Sequence, residues 1–257
     1  MHLARYSVDG EVHHGIVEGD TIAEISGDLF GDLERTGNTV ALADVQLLTP
    51  TSPTKIVNLA GNYLSHMGDS PPFSRPQPFL APPSSVLEPG GTIAWLEGCE
   101  NLHYEGEMAV IISKRCSRVS EDEVGDYILG VCAANDISER IWQNGETNGE
   151  PDSQWWRGKG ADTFSPFGPW VTTGLDHGNL EMTTRVNGEV VQHTNTSELI
   201  YNVEQIISFV STYMTLEPGD AIFTGTSGTT KAMKSGDVTE VELEGNGILS
   251  NPVGYPE

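Results

Sequence analysis

Two glutamates separated by one glycine, Glu105-Gly106-Glu107, lie in the stretch His103–Ile112, whose second half is apolar and strand-like. Alternate residues of a strand share a face, so His103, Glu105 and Glu107 are expected to project together, with Tyr104, Met108, Val110 and Ile112 on the opposite side. Two carboxylates on one face repel each other unless a positive group lies between them. A second apolar run, Tyr127–Ala134, closes on Asn135-Asp136, and an acid ending a buried run needs a partner or water. Three carboxylates with room for water and a chelating ligand make a hard-oxygen site suited to Mg²⁺ or Mn²⁺. Ca²⁺ is an acceptable third ion, and zinc, which prefers nitrogen and sulfur, is a poor one.

The chain that must position these acids has 257 residues, enough to enclose a sizeable core without disulfides. Its three cysteines, Cys99, Cys116 and Cys132, are odd in number and form no C-x-x-C pair, which argues against a secreted disulfide framework and for a reducing cytoplasm. The N-terminus lacks the apolar stretch of a signal peptide, and no segment approaches a membrane span. Thirteen Lys plus Arg against 37 Asp plus Glu give a formal charge of −24. Such a field repels phosphate backbones and anionic lipid, so neither nucleic acid nor membrane is an expected partner. Cations are favoured, and an anionic substrate needs a local positive group.

The strand runs Ala4–Val8 and Val12–Val17, joined by the hairpin signal Asp9-Gly10, predict a small β-rich N-terminal module over residues 1–54. The punctuation Thr49–Thr54 sets its boundary, and residues 55–257 read as one larger domain. Between Ser70 and Pro83, six prolines exclude helix and central strand and mark an irregular segment suited to a lid. Beyond it, short strands dominate, including Glu181–Asn187, Ala221–Phe223 and Val238–Leu243. Leu199, Val203, Ile206, Ile207 and Val210 predict a helix over Leu199–Thr212. The loop Gly225–Lys231 lacks the second glycine and the final hydroxyl of a phosphate loop.

Ordered blocks along residues 55–253 resemble the fumarylacetoacetate hydrolase family. They are Lys55-Ile56-Val57, Asn62-Tyr63-Leu64-Ser65-His66, Phe79-Leu80 before Pro82, His103–Glu107, Asn135–Arg140 with Gln143, Gly158–Pro169, Val186-Asn187-Gly188, Leu216–Asp220 with Phe223–Thr226, and Gly236-Asp237-Val238. The resemblance implies a mixed, mainly β fold, a β-sandwich roll, and a homodimer. It implies metal ligation by Glu105, Glu107 and Asp136, an active-site Lys159, and a lid histidine, His66, working with an acid three positions on. That acid is Asp69 here, where many members carry the longer glutamate. Gln143 is implied to line the site and Thr226 to help hold the substrate carboxylate. Many members have lysine directly after Phe-Leu; this chain has Ala81, and Arg75 in the lid is the candidate replacement.

The chemistry so implied is hydrolytic cleavage of a carbon–carbon bond in an acylpyruvate, a 2,4-dioxo acid. Water activated by His66 attacks the distal carbonyl, and pyruvate leaves as an enolate stabilised by the cation and Lys159. The same apparatus serves decarboxylation of oxaloacetate, and isomerisation or hydration of unsaturated 2-oxo acids. An alternative of another class is a non-catalytic binding module that keeps the ion as a structural cross-link.

Overall fold

The computed structural model describes residues 1–145, 150 and 152–256. Its spine is a large sheet whose central strands are the apolar runs of the sequence. Gly106–Ile112 pairs antiparallel with Ile128–Asn135 on one side and Ala221–Phe223 on the other, and Ala221–Phe223 pairs parallel with Ile56–Leu59. Every residue of Gly106–Ile112 is buried, as expected of a central strand covered on both faces.

One face of these strands carries Val57, Met108, Val110, Ile112 and Val131. It packs against the helix Val203–Tyr213 and a second, five-stranded sheet that includes Glu181–Val186, Val238–Leu243 and Gly247–Gly254. The other face, with Ile56, Ala109, Ile111, Phe167 and Phe223, is a separate core enclosed as the sheet curls. There the Phe167 and Phe223 rings meet edge to face, 6.0 Å apart. Sheet against sheet with a rolled second face is a mixed, mainly β fold, as the blocks imply.

The N-terminal strands His2–Val8, Glu11–Glu18, Thr21–Gly27 and Leu33–Ala41 form a meander that continues this sheet, because His2 and Leu3 pair with Thr172 and Val171. The turn at Asp9-Gly10 has both residues at positive φ, 51° and 85°, which is the backbone a two-residue hairpin of matching twist requires.

Two boundaries differ from expectation. The helix begins at Val203 rather than Leu199, because the Asn202 side chain accepts from the Gln205 amide and Gln205 reciprocates in a capping box. The proline-rich segment contains a strand, Pro78–Ala81. It pairs only with Ile56–Leu59 at the sheet's edge, where a missing N–H is tolerated. Ala81 is 1% exposed in the rolled core, so a longer side chain there would meet apolar neighbours. Among the described residues no helix is long and apolar enough to cross a membrane.

Candidate metal centre and its cavity

The ladder between Gly106–Ile112 and Ile128–Asn135 brings the acids together. Glu107 lies opposite Ala134 and Gly106 opposite Asn135, so Asp136, one residue on, emerges beside Glu105. The Asn135 side chain accepts from the Glu105 amide at 2.8 Å, and the Asp136 amide donates to the Glu105 carbonyl at 2.9 Å. One ligand oxygen from each of Glu105, Glu107 and Asp136 lies within 4.8 Å of the others, and all three residues are buried.

The expected single face is only partly realised. His103 belongs to a separate short ladder with Ser138, and its ring is used by Thr230 and Asn101. Tyr104 packs in a third cluster with Leu102 and Ile137 rather than with Met108. The strand proper starts at Gly106, so alternation cannot be extended back to His103.

Gly106 has a steric reason as well. A Cβ there would collide with the Thr184 hydroxyl of the second sheet. Gly225 is the other necessary glycine. At φ 102° it turns the chain so that its amide donates to Glu107 Oε2 at 2.6 Å. The loop is then clamped by Thr226, whose hydroxyl donates to the Gly106 carbonyl at 2.9 Å. Gln192 reaches in from the second sheet, accepting from the Gly106 amide and donating to Thr226 Oγ1 and the Ser227 carbonyl.

Lys159, 4% exposed, reaches into the cluster and donates to Glu105 Oε2 at 2.6 Å, Asp136 Oδ2 at 2.7 Å and Ser138 Oγ at 2.6 Å. Burial by itself lowers its pKa, but the Asp136 and Glu105 carboxylates outweigh that and raise it, so it remains an ammonium. The sequence pattern assigns Arg140 no role. It ion-pairs with Glu105 and donates to Gln143 Oε1 at 2.7 Å and Thr230 Oγ1 at 3.1 Å. The available signal was a cation four residues after a buried acid in a chain with few cations; its actual partner is 35 residues away.

The charges are unevenly shared. Burial pushes Glu105 up, but Lys159, Arg140 and His66 pull its pKa below the usual carboxylate range. Glu107 is pushed well up by burial and by the Asp136 and Glu105 charges. Asp136 is pushed up mainly by burial. Asp136 Oδ1 is buried with no hydrogen-bond partner among the described residues. An orphaned carboxylate oxygen, a hard donor set and a local shortage of positive charge together fit a divalent cation.

His66 ends a short 3₁₀ turn, Leu64–His66. Its Nδ1 pairs with the Gly228 carbonyl at 2.7 Å, and its Nε2 lies 3.7 Å from Glu105 Oε1. Asp69 is exposed and makes no side-chain hydrogen bond among the described residues, so the expected His66–Asp69 pairing does not form. Arg75 is also exposed, outside the cavity of about 100 Å³ that His66, Glu105, Arg140, Gln143, Lys159 and Thr226 line. Glu107 and Asp136 do not reach that cavity's wall. Phe79 and Trp155 also line it, beside the Leu59–Gly61 backbone turn, and no local pattern links these two aromatic residues.

Residues 55–254 match the family described as fumarylacetoacetate (FAA) hydrolase C-terminal, and residues 1–50 match the Rv2993c-like N-terminal family. The chain belongs to the fumarylacetoacetate hydrolase family. It is 34% identical to the mitochondrial oxaloacetate tautomerase fahd2 of Xenopus laevis over 86% of this chain and 72% of that one. The structure of a 5-carboxymethyl-2-hydroxymuconate delta-isomerase from Mycobacterium smegmatis superposes with a TM-score of 0.92 at 36% identity, covering 100% of both chains. A maleylpyruvate hydrolase from Sphingobium sp. SYK-6, in complex with manganese(II) and pyruvate, superposes at 0.82 with 28% identity over 100% of both. These similar proteins span isomerase, tautomerase and hydrolase, so membership of the family leaves the reaction open.

Proposed function

We propose that this chain is a divalent-metal-dependent enzyme that shifts a proton within a small 2-oxo acid, interconverting keto and enol forms. The observation that carries this reading is the hydrogen bond between His66 Nδ1 and the Gly228 carbonyl. A carbonyl only accepts, so Nδ1 holds a proton, and in the neutral form of the ring Nε2 carries the lone pair. That nitrogen is on the cavity side, next to Glu105. Such a base can take a proton from the carbon beside the 2-oxo group and return it to the substrate.

Glu105, Glu107 and Asp136 would hold the ion, which when bound supplies a Lewis acid for the substrate's oxygens. Lys159 remains charged and donates hydrogen bonds where negative charge develops. Arg140, fixed by Glu105 and Gln143, adds a second positive group against the chain's negative field.

Hydrolysis and the proton shift both turn His66 into an imidazolium, which a carboxylate on Nδ1 commonly stabilises. Here the Gly228 carbonyl takes that position, and Asp69 stands outside. The similarity to a tautomerase and a delta-isomerase supports the proton-shift reading. The test is to follow the oxaloacetate enol by ultraviolet absorbance and proton NMR with Mg²⁺ or Mn²⁺. The expected result is accelerated tautomerisation without pyruvate release, lost on chelation and reduced about 10² to 10⁴-fold in His66→Ala. Pyruvate appearing as fast as the enol decays would replace this reading by a decarboxylase, and rapid cleavage of acylpyruvates by a hydrolase.

A further inference from the structure

Trp155 is at φ 56°, a left-handed backbone that a bulky side chain rarely adopts and that, in an ordered loop, points to a constraint. The loop around it is tied in place. Asp152 Oδ2 accepts from the Arg157 and Gly158 amides at 2.7 and 3.0 Å, and the Trp155 amide donates to the Asp152 carbonyl. The Trp155 carbonyl in turn accepts from the Lys159 and Gly160 amides. What this backbone achieves is contact between the Trp155 indole and the Phe79 ring, edge to face with centroids 5.0 Å apart. Phe79 comes from the edge strand Pro78–Ala81, and the Lys159 ammonium lies 5.5 Å from its ring centre. Both aromatic residues wall the same cavity as His66, Arg140 and Lys159.

We infer that the Phe79–Trp155 pair sets substrate length, closing the cavity so that it accepts a four-carbon 2-oxo dicarboxylate and rejects extended seven- or eight-carbon di- and tricarboxylates. The inference rests on the proton-shift reading and adds its substrate class. The cavity of about 100 Å³ is well below the roughly 300 Å³ at which pockets for larger ligands begin. The M. smegmatis structure of the same fold carries the name of an isomerase for a larger, branched tricarboxylate, so the scaffold is compatible with longer substrates and the restriction lies in the wall. Rejection by a rigid aromatic pair is steric, and each surplus methylene counts about 10 to 200-fold in discrimination.

Trp155→Gly is the informative substitution, because glycine is at ease at this φ and the backbone bonds that place Lys159 need no side chain. Phe79→Ala opens the same wall from the other element. The ratio of kcat/KM for oxaloacetate to that for 5-carboxymethyl-2-hydroxymuconate is measured with Mn²⁺ in all three proteins. In the unaltered protein the ratio is expected to exceed 100. In each variant it falls at least tenfold through a gain on the longer substrate. Calorimetric binding of oxalate and of 2-oxoheptanedioate, read without turnover, is expected to show the same crossover. A ratio near one in the unaltered protein, or variants that lose both substrates equally with no gain in 2-oxoheptanedioate binding, would overturn the inference. If no substrate turns over but the binding crossover appears, the proton-shift reading fails and the length selection stands.

Discussion

Asp220 and Asp136 are both buried acids at strand ends beside a lysine, and they are treated in opposite ways. Asp220 is saturated. Its Oδ1 accepts from the Thr54 amide and hydroxyl and the Lys55 amide, and its Oδ2 accepts from the Glu217 amide and the Lys55 ammonium. Asp136 shares Lys159 with Glu105 through one oxygen and leaves the other without a partner among the described residues. A buried carboxylate with every lone pair filled is a structural fastening, whereas one kept open beside two further acids is a place for a cation. The difference lies in the donors around the acid and not in its depth.

The largest effect that would test this contrast is on Asp220. Asp220→Ala is expected to cost about 3–5 kcal/mol in urea unfolding, the usual result of stranding one half of a buried pair. Loss of metal binding from the still-folded protein would contradict the structural role. Glu107→Gln is expected to do the reverse. Isothermal titration with Mn²⁺ should show affinity falling by more than the roughly 10 to 100-fold typical of outer-shell changes, while the metal-free protein melts no lower, since a crowded buried acid has become a neutral amide.

His103 sharpens the comparison through pH. Burial, and then the Arg140 charge, lowers its pKa from 6.5 to about 4. As pH falls through that window the unfolded imidazole takes up a proton and the folded one does not, so stability is lost from 6.5 down to about 4 and levels off below. The slope stays below the limit of about 1.4 kcal/mol per unit, because the ring is only half-buried and solvent screens it. Thermal melts of His103→Gln against the parent are expected to be flatter in that range; identical slopes would remove His103 from the account. The smallest effect is expected at Asp69. In steady-state tautomerase assays Asp69→Asn should change turnover by less than about threefold, as exposed substitutions generally do, and a large loss would reinstate the His66–Asp69 pairing.

Strand alternation and turn residues made the architecture legible, since both are local. Val57, Met108, Val110 and Ile112 share a core as their spacing requires, and Asp9-Gly10 turns where its residue types predict. The convergence of Glu105, Glu107 and Asp136 was legible because each sits at a strand end next to a buried run. Contacts between distant segments were not. The Gly228 carbonyl that takes His66 is 162 residues away, and nothing in i, i+3 spacing distinguishes it from Asp69. Phe79 and Trp155 face each other only because an edge strand and a left-handed loop residue meet. The alternating pattern also ran too far, placing His103 with the acids when the strand had not yet begun.

Gln192 contributes one amide to three groups on two different segments, the Gly106 nitrogen on the central strand and the Thr226 hydroxyl and Ser227 carbonyl on the loop after Phe223. Exchanging its nitrogen for oxygen, as hydrolysis to glutamate would do, sets lone pair against lone pair at Ser227 and adds a negative charge a few bonds from three others. Every strand could survive that change while the two segments lost their alignment, so the durability of the sheets and the lifetime of the reaction site are separate quantities, joined by a single side chain.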